Sequence, residues 1–289
     1  MDKNTKILIV GLGLIGGSYA QALTDQGYEV GAITRSRDSI DYALSRGMIK
    51  SGFTSVNKEY VSRFDIVVFA LYPHVFTKWI SEYADYFKDG ALLTDVTGVK
   101  RSVVYEVQEI LKGKPVEFIG AHPMAGREVY GVRNADKKIF SGANYIVTPT
   151  PANTSEAIEK CKDLGKTLGF ARISELTPED HDEMIGFLSQ LTHCIAVSLM
   201  TSKESKHLVD YTGDSFRDLT RIAKINEDMW TELFMLNRDE LLKQMDLFEK
   251  QFDSFKTALR CGDEESMKAI MRLSTERRKL FDKPAKKEQ

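Results

Sequence analysis

The chain has 289 residues, enough for two domains with a sizeable core, and its 42% apolar and 28% charged content is that of an ordinary globular protein. Lys and Arg number 40 against 42 Asp and Glu, a formal net charge of -2 that speaks against nucleic acid as the main partner. Three widely spaced cysteines, Cys161, Cys194 and Cys261, form no C-x-x-C, so neither a disulfide framework nor a zinc site is suggested, and they read as reduced thiols in a cytoplasmic protein. No metal is expected. The N-terminal apolar run is short and glycine-broken, and no stretch approaches the ~18–20 apolar residues of a membrane span, so neither a signal peptide nor a membrane partner is expected.

Residues 6–10 (Lys-Ile-Leu-Ile-Val) read as a buried strand, and Gly11, Gly13 and Gly16 then space out G-x-G-x-x-G ahead of a helical pattern. Gly11 permits the tight turn, Gly13 keeps no Cβ between backbone and a pyrophosphate, and Gly16 allows close helix packing. With Leu14 and Ile15 they form the expected phosphate cradle, the free N–H groups of the helix start facing the anion. Further strands are expected at 29–34, 65–71, 91–95, 116–121 and 144–148, and helices near 38–46, 75–87 and 99–111. This alternation implies an α/β fold, a Rossmann-type dinucleotide-binding domain with a mostly parallel sheet.

Ligands in such sheets bind beyond the carboxyl ends of the strands, which singles out 71–74, 95–100 and 122–126, with Leu71, Tyr72 and Asp95 as cofactor candidates. At the end of the second strand, Thr34-Arg35-Ser36-Arg37 carries no acid for a ribose 2'-hydroxyl, and Asp38 reads as a helix N-cap. Two arginines and two hydroxyls suit a 2'-phosphate, so NADP is expected over NAD. The alternative is that Arg35 and Arg37 are solvated loop charges.

From Thr177 onward the pattern is helical, at 178–203, 218–223 leading into 227–259, and 263–281, with Thr177-Pro178-Glu179 as a helix start. The expected division is a dinucleotide domain at 1–174 and an all-α dimerisation domain at 175–289, the latter pairing two chains as a homodimer. The lysine-rich tail at 283–289 reads as disordered.

The most unusual string is Gly120-Ala121-His122-Pro123-Met124-Ala125-Gly126-Arg127-Glu128. A neutral His122 at the crevice edge can take a proton from a substrate hydroxyl as hydride leaves the same carbon. His74 follows a strand end, His207 has no evident partner, and His181 among Asp180, Asp182 and Glu183 reads as part of a solvated acidic helix start. His181 lies twelve residues from His193, roughly 120° around an ideal helix, so the two do not converge.

The string G-A-H-P-M-A-G-R-E-V-Y-G at 120–131, with the glycine turn, Asp95 to Lys100, S-Q-L-T-H at 189–193 and F-R-D-L-T-R-I-A at 216–223, resembles the prephenate and arogenate dehydrogenases of tyrosine biosynthesis over about residues 6–280. The resemblance implies oxidative decarboxylation of a cyclohexadienol, hydride passing to NAD(P)+ with loss of carbon dioxide. It implies His122 as the general base, Arg221 on the ring carboxylate and His193 against the substrate. Glu128, Asp218 and Trp230 fall where the family has a gating acid, its charged partner and an aromatic near the site, and Arg127 suggests a carboxylate partner. Taken alone, Arg221 could pair with Asp218 on a helix surface, and His193 and Trp230 could be core residues. Many relatives read D-x-x-S-x-K after the fifth strand; here Gly98 replaces that serine, and Thr97 is the candidate substitute. The rival readings are an arogenate dehydrogenase, another hydroxy-acid or imine oxidoreductase, and a nucleotide-sensing binding protein without catalysis.

Overall fold

The computed structural model describes residues 1–127, 129–204 and 206–280, so the tail expected at 283–289 lies outside the described residues. From the N-terminus, β1 (Lys6–Val10) passes through the glycine turn into α1 (Leu14–Asp25), followed by β2 (Glu29–Ile33), α2 (Arg37–Ser45), β3 (Ser51–Phe53) and α3 (Lys58–Val61). Then come β4 (Ile66–Phe69), α4 (Pro73–Tyr83), β5 (Leu92–Asp95), α5 (Arg101–Ile110) and β6 (Glu117–Met124). β7 (Asn144–Thr148), α6 (Ser155–Leu168) and β8 (Arg172–Glu175) complete the sheet.

The strand order is β3-β2-β1-β4-β5-β6-β7-β8, parallel throughout except for the β6–β7 pair. Alternate residues of β1 serve opposite faces: Ile7 and Ile9 join an apolar cluster with Tyr19, Leu23 and Leu164, while Leu8 and Val10 join one with Phe69, Phe76 and Val104. Helices therefore cover both faces, which is why the central strands are continuous apolar runs. The order of strands reverses between β1 and β4, and the crevice of such a sheet opens there, beyond the carboxyl ends.

Four of these elements escape the sequence reading. β3 and β8 are short strands of three and four residues, α3 is a single four-residue turn, and α6 covers the far end of the sheet. β6 also runs past Ala121 to Met124, placing His122 on the strand rather than in a loop. A proline is tolerated at position 123 because the β5 ladder has already ended at Thr94 and Ile119, so its missing N–H costs no bond on that side.

The described chain clusters into two compact units that divide between Arg238 and Asp239. The first includes the sheet and α7 (Pro178–Ile185), α8 (Thr192–Thr201), α9 (Leu208–Tyr211), α10 (Asp214–Thr220) and α11 (Glu227–Leu236). The Thr177 hydroxyl accepts from Asp180 N and Pro178 opens α7, as the sequence implies. Gly186–Leu191 joins α7 to α8 as a π-helix, so the whole stretch is one 24-residue helix. Contrary to expectation, that helix is long and apolar enough by composition to cross a bilayer, yet it buries His181, Asp182 and Gln190 in hydrogen bonds described below.

The helix expected at 227–259 is broken at Asn237, where α11 ends and α12 (Arg238–Cys261) begins. The buried Asn237 amide donates to Asp182 O at 2.9 Å and Gln190 Oε1 at 2.8 Å, ties that reward a turn at this point. The second unit holds the rest of α12 and α13 (Glu264–Lys279), with Gly262 at φ +68° ending α12 and Asp263 capping α13. Leu242, Leu247, Phe252 and Leu259 of α12 are all exposed.

Candidate active site

The glycine turn has the geometry its spacing implies. Gly11 adopts φ +100°, and a Cβ there would lie 2.4 Å from the Ala70 carbonyl oxygen at the end of β4. At Gly16 a Cβ would lie 1.9 Å from Gly11 O, so α1 starts directly against the turn. A Cβ on Gly13 would meet nothing within 4 Å, the open approach a pyrophosphate needs. Gly13 is also the N-cap of α1 and offers no side-chain acceptor, so the first-turn N–H groups are left for an anion. Leu14 and Ile15 open this helix, and Leu71 and Tyr72 follow β4 across the turn, Tyr72 capping α4 with its ring exposed.

Beyond β5 lies a wholly buried polar network. Asp95, expected to face the cofactor, is instead consumed inside the fold: Oδ1 accepts from Ala121 N at 3.0 Å, and Oδ2 accepts from Thr97 N at 3.0 Å and Lys100 Nζ at 2.6 Å. Thr97, expected to offer its hydroxyl to substrate, has that oxygen turned into the same network, hydrogen-bonded to Asp95 and accepting from Lys100 Nζ at 3.1 Å. Burial alone pulls the Lys100 ammonium below its ordinary value, and the Asp95 charge opposes the shift.

The next strand carries His122, whose backbone neighbour Ala121 is held by Asp95. His122 Nδ1 lies 2.9 Å from Nε2 of His181, and Nδ1 of His181 lies 2.7 Å from Asp182 Oδ1. The Asp182 carboxylate in turn accepts from Lys100 N and Arg101 N, each at 2.8 Å, fastening the start of α5 to α7. His181 is 0% exposed, so the solvated reading of it is corrected. Positions 178, 181, 182 and 185 of α7 are all buried, a spacing that puts them on one helix face; read by periodicity rather than polarity, that stripe places His181 and Asp182 inside. Burial, with lesser contributions from His181 and Lys100, holds His122 well below the ordinary 6.5 and keeps the imidazole neutral at neutral pH.

On the helical side, the π turn breaks the 3.6-residue phase, so an angle around a straight helix no longer relates His181 to His193. His193 donates from Nδ1 to Ser189 O at 2.8 Å and its ring lies 3.7 Å from that of Trp230, centroid to centroid. Arg221 opens a short 3-10 turn, Arg221–Ala223, that packs against α8, the helix carrying His193. Glu232 of α11 accepts from His74 N at 2.7 Å and meets His74 Nδ1 at 2.8 Å, capping the start of α4; His74 is thus tied to α11. Arg127 pairs with Asp136 at 2.9 Å, and His207 with Asp210 at 3.3 Å. Glu128 lies outside the described residues.

The end of β2 is of another character. Thr34 N donates to Phe53 O, and the Ser36 hydroxyl, not Asp38, caps α2 by accepting from Ser39 N. Arg37 pairs with Asp41 one turn on, and Asp38 pairs at 2.9 Å with Arg133, whose guanidinium sits over the Tyr42 ring. Arg35 is exposed.

Two family models match the chain, prephenate dehydrogenase, nucleotide-binding domain, at residues 19–174 and prephenate dehydrogenase, dimerization domain, at 177–273. The chain is similar to the prephenate dehydrogenase of Lactococcus lactis, 31% identical over 269 residues that cover 91% of this chain and 73% of that protein. It is 32% identical to that of Bacillus subtilis over 272 residues, 90% of this chain and 72% of that one. The fold matches a crystal structure of prephenate dehydrogenase from A. aeolicus in complex with hydroxyphenyl propionate and NAD+, with a TM-score of 0.87, 29% identity, and coverage of 96% of this chain and 98% of that one.

Proposed function

The chain belongs to the prephenate dehydrogenase family, and we infer from its site that it oxidatively decarboxylates prephenate to 4-hydroxyphenylpyruvate in tyrosine biosynthesis. The observation that carries the reading is His122, neutral and held by a buried partner at the carboxyl edge of the sheet. Bound at the glycine turn, the nicotinamide dinucleotide supplies the hydride acceptor. Gly11, Gly13 and Gly16 fit it: the turn is tight, Gly13 is open, and the α1 N–H groups face outward for a pyrophosphate.

His122 takes the proton of the ring hydroxyl as the ring becomes aromatic and carbon dioxide leaves. Arg221 holds a substrate carboxylate through two parallel hydrogen bonds, and its replacement by Lys, which lacks the fork, raises KM strongly while leaving the fold intact. His193 and Trp230, their rings in contact at a tilt of 31°, line the substrate side.

The preference is for NADP. Support comes from the end of β2, where no acid follows Ile33, Asp38 is engaged by Arg133, and Arg35 and Ser36 are exposed. The chain works as a homodimer through its helical part, in line with the exposed apolar side chains of α12 and the description of the second family model. A boundary between dinucleotide and helical parts at 174/175 is in line with the two family models, which cover 19–174 and 177–273. The setting is cytoplasmic, where Cys161, its thiol pushed up to about 11 by burial, stays reduced.

Following reduced-cofactor absorbance with prephenate and then arogenate, against NADP and NAD in turn, tests this. Prephenate with NADP is expected to give the highest kcat/KM. Turnover of arogenate alone would move the protein to that substrate, absence of turnover with both would favour a nucleotide-binding role, and a lower KM for NAD would remove the NADP preference. Light scattering showing only monomer at micromolar concentration would contradict the dimer.

A further inference from the structure

We propose that His181 and Asp182 are positioning residues that decide which nitrogen of His122 carries its proton. The inference rests on His122 being the base, as above, and follows the hydrogen bonds inward. Asp182, 1% exposed, accepts from two backbone N–H groups at the start of α5, one on each carboxylate oxygen. As a carboxylate it can only accept from the His181 ring, so Nδ1 of His181 carries a hydrogen.

In a neutral ring the other nitrogen is then a bare acceptor. That nitrogen, Nε2 of His181, faces Nδ1 of His122 at 2.9 Å, so Nδ1 of His122 must be the N–H. His122 is left with its lone pair on Nε2, the atom with no protein partner among the described residues. Every link is buried or partly buried, and the bonds from Asp182 to Lys100 and Arg101 and from His181 to His122 join α7 to the start of α5 and to β6, so the arrangement is fixed by the fold rather than by a mobile side chain. The charged groups facing the pair are Asp182, Lys100 and Asp95, and burial opposes protonation of His181, which would turn its Nε2 into a donor and reverse the tautomer of His122.

During the reaction the substrate O–H bond breaks and an Nε2–H bond forms on His122. The imidazolium so made keeps its Nδ1–H in the bond to His181, which stabilises the new charge without a second proton transfer. Asp182 thus acts twice removed from the reacting atoms, and His181 once.

The test is a long-range proton–nitrogen NMR correlation on protein labelled with 15N-histidine, at about pH 7.5 and without substrate, His122 being assigned by its loss in His122→Asn. The expected spectrum shows His122 protonated at Nδ1 and bare at Nε2. In His181→Leu this tautomer is no longer fixed, and kcat for prephenate falls by about tenfold or more with KM unchanged within about twofold. His181→Gln, whose amide can accept from His122 and donate to Asp182, recovers most of that loss. Finding His122 protonated at Nε2 in the unaltered protein overturns the proposal even if no variant folds, as does a folded His181→Leu with unchanged turnover, or a folded His181→Gln as slow as the leucine variant. The expected tautomer in a protein that turns over neither substrate would sink the assigned function and leave the positioning role standing.

Discussion

The strand ends of β5 and β6 and the strand end of β2 belong to the same edge of one sheet, yet they are built on opposite principles. At β5 and β6, Asp95, Lys100, His181 and Asp182 are all at most 1% exposed and each bonds to at least one other element. At β2, Arg37–Asp41 and Asp38–Arg133 are surface pairs open to water. Removing one partner of a buried pair strands a charge, whereas exposed pairs contribute little. On the proposed reading, the contrast separates the chemistry, held by buried bonds, from cofactor choice, left to a few solvated side chains.

The largest expected effect is on the buried side. Asp95→Asn strands the Lys100 ammonium and should cost about 3–5 kcal/mol of stability, read from urea unfolding. A loss under about 1 kcal/mol would show that this network is not what holds the β5 and β6 ends. A smaller effect follows from protons. His122 and His181 are both held below the ordinary 6.5, so just below that pH the unfolded chain binds more protons than the folded one. Stability is therefore full above about pH 6.5 and declines on acidification toward the lower folded values, and scanning calorimetry should find Tm falling between about pH 7 and 5.5. A flat or rising Tm there contradicts the burial of two neutral rings.

On the exposed side, Arg35→Ala should raise KM for NADP several-fold, leave KM for NAD nearly unchanged and shift Tm by no more than a degree or two. An equal rise for both cofactors would place Arg35 elsewhere than at the 2'-phosphate. The smallest effect is expected at Gly98→Ser. A Cβ there lies 3.4 and 3.5 Å from the Leu233 methyls, ordinary contact distances, so a hydroxyl at this position should fit and raise turnover modestly. A tenfold fall in turnover would mean that Gly98 is needed as it stands.

The same contrast explains what the sequence makes legible. The glycine turn, the alternating elements and the helical second half follow from local patterns, and the structure has all of them. His122 and Arg221 stand out because their motifs are short and contiguous. His181 and Asp182 do not, since their partners lie 59 and 82 residues away and polar side chains near a helix start read as solvated. Asp95 and Thr97 are visible as a motif but not in their orientation, which Lys100 Nζ and the N–H groups of Ala121 and Thr97 set together. The break at Asn237 is invisible for a similar reason, its amide reaching Asp182 O and Gln190 across the fold.

The central claim, that a neutral imidazole on β6 removes the substrate's hydroxyl proton, is tested most directly by the turnover number of His122→Asn with prephenate under saturating cofactor. Asparagine keeps a polar side chain of similar reach but offers no titratable base. A fall of about 100-fold or more with a folded, cofactor-binding protein is the expected result; turnover within a few-fold of the unaltered enzyme would contradict it.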